Sequence, residues 1–299
     1  MNIGLYPGCS LEGSSREYAD SLRAIAPYLA LEFQEMEGWN CCGASAAHAL
    51  DHALAVSLPA SILAQAEQQH LQDLLVPCAA CFNRLASAKH TLADDASLRA
   101  SVTAELRVPY AGSTQLHNIL EVLSTALTKE TLSRMSGTFP HKVVCYYGCL
   151  LVRPTKVVHS SRPEDPLAMD EIMKLIGATP LTWGMKTECC GAGLSVSRTD
   201  VVGELCGRIL ADADARGAEA IIVACPMCHS NLDMRRRESE RAAGRQFSMP
   251  VLYVTQAIGL ALGIDPERLG LHRHFVNVVL RGKSKAQLAP QSAAATAIA

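Results

Sequence analysis

Short, almost wholly apolar runs punctuate the chain, each followed by a turn and then by a stretch whose apolar residues return every three or four positions. Such runs read as buried strands, and the stretches between them as amphipathic helices. Residues 2–6 form the first run and end in Pro7-Gly8, the form of a strand that delivers Cys9 at its C-terminal end. Ser14-Ser15-Arg16-Glu17 predicts a capping box, and Tyr18, Leu22, Ile25 and Leu29 share one face of the helix it opens. Residues 31–36 alternate as a strand, residues 44–70 are alanine-rich and helical with a break near Pro59, and Leu74-Leu75-Val76 is a strand leading into Pro77-Cys78. A helix is expected after Cys78 and another over residues 114–129.

Residues 133–141 carry Ser, Gly and Pro without periodicity and mark a boundary. Beyond it the layout repeats: strand 142–147, helix 166–176, strand 180–183, helix 201–216, strand 221–223 and helix 228–244. The expected fold class is α/β, with two similar, duplicated domains, each a small, mostly parallel sheet with flanking helices and its chemistry in the loops after the strands. The first domain is expected over 1–132, the second over 142–282, and a polar, then Ala/Thr/Ser-rich tail over 283–299.

The cysteines sharpen the repeat. One copy reads Cys9, 31 intervening residues, Cys41-Cys42, 35 more, then Cys78-Ala79-Ala80-Cys81; the other reads Cys149, 39 residues, Cys189-Cys190, 34 more, then Cys225-Pro226-Met227-Cys228. The surroundings match too. Tyr6-Pro7-Gly8-Cys9 pairs with Tyr146-Tyr147-Gly148-Cys149, and Asn83-Arg84-Leu85 with Ser230-Asn231-Leu232. A third echo sets Val108-Pro109-Tyr110 against Val251-Leu252-Tyr253. The chain is therefore read as a duplication in which each half carries one five-cysteine site.

At 299 residues with 49% apolar content, two domains with real cores are possible, and a net charge of −2 gives no basic excess for a nucleic-acid partner. The N-terminus lacks the pattern of an export signal, and no apolar run is long enough to span a bilayer, so the protein is expected to be cytoplasmic and to reach a membrane only through a partner. In a reducing compartment twelve cysteines point to metal or redox chemistry rather than disulfides.

Four thiolates suffice for a zinc ion or a four-iron cluster, so five per half is a surplus. Adjacent cysteines project in different directions and suit a site with several metal atoms. Glycines after each pair let the backbone wrap closely, and Cys-x-x-Cys at a helix N-terminus places thiolates where the helix dipole favours negative charge. Three other readings compete: buried apolar thiols, zinc ligation, and a thioredoxin-like dithiol, the last leaving six of the ten patterned cysteines idle.

The spacing of Cys, Cys-Cys-Gly and Cys-x-x-Cys over residues 2–263, strongest in Tyr147-Gly148-Cys149, Cys189-Cys190-Gly191-Ala192-Gly193, Cys225-Pro226-Met227-Cys228-His229 and Pro250-Val251-Leu252, resembles the cysteine-rich CCG domain. Its duplication is similar to the B subunits of heterodisulfide reductases. That resemblance implies two noncubane [4Fe–4S] clusters, one bound by Cys9, Cys41, Cys42, Cys78 and Cys81 and the other by Cys149, Cys189, Cys190, Cys225 and Cys228. It further implies that a small-molecule or protein-carried disulfide is cleaved between the clusters, or thiols joined in the reverse direction, with no catalytic residue apart from the ligands. No ferredoxin run and no dinucleotide fingerprint occur in the sequence, so electrons would arrive from the two partners that the resemblance implies, an iron–sulfur subunit and a flavin-bearing subunit of the same complex. Two rival readings stand beside it: a non-catalytic electron-relay subunit of a lactate, glycolate or succinate oxidoreductase, and a zinc-stapled scaffold.

Outside the frame, Cys145 and Cys206 read as core. His229 reads either as a donor to a cluster sulfur or as a capping or solvated histidine. Arg235-Arg236-Arg237 reads as a solvated helix face, the alternative being a dock for an acidic partner, and Arg153, Lys156, His159 and Arg162 read either as a site that attracts an anionic substrate or as an ordinary charged surface loop.

Overall fold

The computed structural model describes residues 1–133, 135 and 137–280; the tail expected over 283–299 lies outside them. The chain builds two four-stranded parallel sheets of the same strand order. In the first, β1 (Asn2–Leu5) lies between β2 (Glu32–Glu35) and β3 (Asp73–Leu75), and β4 (Gln115–His117) completes the edge. In the second, β5 (Lys142–Tyr146), β6 (Thr179–Pro180), β7 (Ala220–Val223) and β8 (Val251–Tyr253) take the same places. Every pairing is parallel. The central strand Ala220-Ile221-Ile222-Val223 is buried along its whole length, as a parallel strand covered on both faces must be.

The helices of the first half are α1 (Arg16–Ile25), α2 (Ala44–Leu50), α3 (His52–Gln68), α4 (Ala79–Asp94), α5 (Ala96–Glu105), α6 (Ile119–Ala126) and α7 (Lys129–Ser133). Those of the second are α8 (Thr155–Val158), α9 (Ala168–Leu175), α10 (Thr199–Ala215), α11 (Pro226–Asp233), α12 (Arg236–Ala243) and α13 (Val254–Ala261).

The halves are not separate bodies. α1 packs on α13 and α6 on α9, so helices of the two halves pack on each other across the junction. Leu22 and Ile25 of α1 belong to one continuous core with Val251, Val254 and Ile258 of the second half. The residues of α13 are buried all round.

Local expectations differ from the structure where tertiary contacts outweigh pattern. α1 is preceded by a π-turn over Ser10–Ser14 and its N-cap is Ser15, without a side-chain cap, so Ser14 and Glu17 do not form a capping box. α3 runs unbroken through Pro59, which is buried; the break falls at Asp51, extended and accepting a hydrogen bond from the Leu54 amide. Burying the proline ring in the core offsets the lost backbone bond. Residues 115–117 form an edge strand before α6 rather than a helix, and Asn118 with Glu121 forms the capping box there. Hence β8 corresponds to residues 115–117, and the echo at Val108-Pro109-Tyr110 is not a structural repeat. The strand expected over 180–183 shortens to Thr179–Pro180, and the helix over 228–244 divides into α11 and α12.

Because the core crosses the junction, Leu22→Ala should cost about 2–5 kcal/mol and shift one transition for the whole molecule. Urea unfolding followed by circular dichroism and by tryptophan emission (Trp39 and Trp183, one in each half) checks this; non-coincident transitions would contradict it.

Candidate metal centre

All ten patterned cysteines sit at the C-terminal ends of strands or on the helices that follow, where parallel sheets leave room for a site. Cys9 follows β1, Cys41-Cys42 follow β2, and Cys78 caps α4; Cys149, Cys189-Cys190 and Cys225 repeat this in the second half. The structure brings each five together. In the first half the Cys42 and Cys81 sulfurs are 3.3 Å apart and those of Cys9 and Cys41 3.9 Å. In the second, Cys190 and Cys228 are 3.7 Å apart, and Cys149 hydrogen-bonds Cys189. Cys42, Cys78 and Cys81, and likewise Cys190, Cys225 and Cys228, are buried, whereas Cys9, Cys41 and Cys189 are exposed and Cys149 half-buried.

Each array thus has a fixed inner wall and an open outer side. The two arrays also meet: Cys78 and Cys225 lie close enough for each to shift the other's ionisation.

The thiols share protons unevenly. Donation from Cys41 and then Cys81 holds Cys42 down to about 3, and donation from Cys149 holds Cys189 to about 6. Cys225 is lowered by Cys228 and Cys78, while Cys81, Cys149 and Cys228 are raised as the donors of those contacts. Such crowded thiols are a soft donor set that a cationic iron assembly, zinc or Cu(I) would satisfy. The residues fit a multi-iron group: the inner thiols are preset, and the exposed ones have room to spread around it.

Two tyrosines missed in the sequence hold the vicinal pairs. The buried Tyr6 hydroxyl donates to the Asn40 carbonyl at 2.9 Å, and Tyr146 donates to that of Glu188 at 2.6 Å, in each case the residue before the pair. Each ring meets a tryptophan edge, Trp39 at 5.7 Å and Trp183 at 6.2 Å. The repeated Tyr-x-Gly-Cys spelling was the available signal. Gly43 and Gly191 have φ of +78° and +76°, yet what presses on them is their own half: a Cβ would meet Ala47 or Val202. These glycines turn the chain rather than clear space for the metal.

The residues outside the cysteine frame sort clearly. Cys145 and Cys206 are fully buried core. His229 is neither capping nor solvated: it is buried, donates from Nε2 to the Val251 carbonyl at 3.1 Å and stacks on Tyr253 at 4.3 Å. It groups with Asp233 and His274 as possible ligands, but His274 Nε2 accepts from Gln256, and Asp233 accepts from the Phe275 and Val276 amides. That set is a lock on the 274–276 segment. Arg236 is not on a solvated face; it is buried, and its guanidinium binds the carbonyls of Leu232, Phe247 and Met249.

A groove of about 800 Å³ borders Cys149 and spans both halves, with His48, Arg84, His90, Arg153, Lys156 and Glu164 along it. Arg153 is paired with Glu164, whereas Arg84 makes no ion pair or hydrogen bond among the described residues, and its Nε is buried without a partner. At the matching place in the second half, Asn231 donates to the Cys190 carbonyl at 2.8 Å. The repeat is therefore broken at this position, where the first half carries a cation and the second an amide. His159 and Arg162 line a different cavity, beside Tyr147.

Two sheets of one topology, each ending in a five-thiol array, make a duplicated cysteine-rich protein of the metal-binding kind. The cysteine-rich domain CCG matches residues 3–86 and 143–233, and the chain belongs to that family. It is 30% identical over 94% of its length to the 8-methylmenaquinol:fumarate reductase membrane anchor subunit of Wolinella succinogenes, covering 99% of that protein. It is 28% identical over 92% of its length to the B subunit of the ferredoxin/F420H2-dependent CoB-CoM heterodisulfide reductase of Methanosarcina acetivorans, covering 93% of it. A hypothetical protein from Helicobacter pylori shares the fold with a TM-score of 0.75 at 13% identity; the match covers 93% of this chain and 52% of that one. Among the described residues no helix is long and apolar enough to cross a membrane.

Asn83, buried on α4, donates to the carbonyls of Leu150 and Arg153 at 3.0 and 2.8 Å and so holds the Cys149 turn from the other half. Asn83→Ala should cost about 1–3 kcal/mol, read as a lowered urea midpoint with unchanged slope.

Proposed function

We propose that the chain is the catalytic subunit of a heterodisulfide-reductase-like complex, reducing a disulfide to two thiols or running the reverse reaction in sulfur metabolism. In this reading Cys9, Cys41, Cys42, Cys78 and Cys81 hold one noncubane [4Fe–4S] cluster, and Cys149, Cys189, Cys190, Cys225 and Cys228 hold the second. When bound, the clusters would supply the two electrons that cleavage of one disulfide requires, one each. The observation that carries the reading is the groove: it opens at Cys149, crosses both halves and presents an unpaired guanidinium. Arg84 and Lys156 would bind acidic groups on the substrate, and the apolar Leu150 and Val157 would shield the sulfur–sulfur bond from water. Electrons would come from an iron–sulfur subunit and a flavin-bearing subunit of the complex, in keeping with the naming of the relatives as subunits. Membrane contact, if the complex makes any, would then be a partner's task, and the chain itself would work in the cytoplasm.

Anaerobically purified protein should hold about eight irons and eight sulfides per chain, two four-iron clusters. About four would remove the paired mechanism, and zinc without colour would sink the redox reading. Given eight, reduced methyl viologen should drive reduction of the dianionic 5,5′-dithiobis(2-nitrobenzoate). Arg84→Ala should raise its KM about tenfold, worth about 1.4 kcal/mol, with little change for the neutral 2-hydroxyethyl disulfide. An equal effect on both would remove Arg84 from substrate binding.

A second reading rests on the Wolinella relative named as a membrane anchor of a menaquinol-linked reductase. There the chain would relay electrons without acting on a disulfide. Full iron content with no disulfide turnover, and cluster oxidation or reduction by a menaquinone analogue, would favour it.

A further inference from the structure

The two thiol arrays approach each other at Cys78 and Cys225, and a side chain from neither array stands beside that approach. Tyr18 of α1 is fully buried. Its hydroxyl lies 3.3 Å from the carbonyl of Pro77 and 3.3 Å from that of Ala224. These two residues directly precede Cys78 and Cys225.

The ring is held as firmly as the oxygen. It stacks on Tyr253 of the other half with centroids 4.2 Å apart and planes 5° from parallel. Tyr253 stacks in turn on His229, the neighbour of Cys228. Ser21, on the same helix, meets Thr255 at 2.7 Å and fastens the same helix pair. A phenol has one proton, so the two carbonyls share a single donor, and both must stay within reach of one fixed oxygen. Apart from the Cys78–Cys225 thiol contact itself and the Asn83 clamp, the polar contacts described above for the cysteine loops come from within one half. Tyr18 ties the two Cys-x-x-Cys turns to each other.

We propose that Tyr18 is a positioning residue that sets the separation of Cys78 and Cys225, and thereby makes their approach the route by which electrons pass between the two sites. The proposal rests on the two-cluster reading above for its electron-transfer part, while the spacing part stands on the protein alone. Electron exchange between centres weakens steeply with distance, so a small loosening at this junction has a large readout.

Two measurements test it on the full chain. In the first, Tyr18→Phe, which keeps the stack and loses the hydroxyl, retains wild-type iron content. The magnetic interaction between the two reduced centres, seen as line broadening in the electron paramagnetic resonance spectrum of dithionite-reduced protein, falls at least twofold. Ser21→Ala loosens the same helix pair without touching either carbonyl and keeps the wild-type spectrum. A Tyr18→Phe spectrum that superimposes on wild type, or a Ser21→Ala spectrum that changes as much, overturns the proposal.

In the second, cluster-free protein is treated with diamide, which takes two electrons and two protons from the Cys78 and Cys225 thiols and leaves them joined as a disulfide. The yield of the linked peptide at a fixed time falls about fivefold in Tyr18→Phe; equal yields overturn the spacing claim. Absence of iron from the wild-type protein would instead defeat the cluster reading, and the cross-link would still decide whether Tyr18 sets the spacing.

Discussion

Ten thiols have to be brought to the ends of two small sheets without any of the inner ones reaching water, and the rest of the molecule answers to that requirement. Crowded sulfurs repel once ionised, and buried ones resist ionising at all. The structure handles both effects by letting neighbours share protons, so that Cys42 and Cys189 are held low by the thiols that donate to them.

The inner walls of the arrays are packed into hydrophobic cores, that of the first array (Cys42, Cys78 and Cys81) into a smaller one with Tyr6, Ile62 and Leu74, and that of the second into the main one. Cys190, Cys225 and Cys228 belong to the cluster of side chains that also contains Leu22, Val144 and Ile258. The outer sulfurs lie on loops pinned by single tyrosines, Tyr6 and Tyr146, whose hydroxyls hold the peptide in front of each vicinal pair. Rigid inside and adjustable outside is the arrangement expected of a site that must accept a bulky group without unfolding.

Duplication gives two sites, and departures from symmetry give them separate surroundings. At one position the first half carries Arg84, unpaired and facing the groove, where the second half carries Asn231, satisfied by the Cys190 carbonyl and by Ser195. Asn83 reaches across to the Cys149 turn, so the groove between the halves is shaped by the side chains that break the repeat. The proposed chemistry, which needs one substrate between two sites, depends on this asymmetry as much as on the repeat.

The cysteine frame, the strand–loop–helix alternation and the duplication were legible in the sequence, because the spacing of ligand-type residues and the period of apolar ones are local properties. Cys145 and Cys206 could be set aside as core for the same reason. The tertiary structure alone decided which helices pack across the two halves, that Pro59 lies inside a helix, that residues 115–117 pair as a strand, and that His229 and Arg236 are buried. It also decided the contacts of Tyr18 and Asn83, since each reaches a part of the chain distant in sequence, and that Arg84 lines the groove. No pattern along the chain records whether a hydroxyl on the first helix will find the carbonyls of Pro77 and Ala224; that follows only once the two sheets share a core.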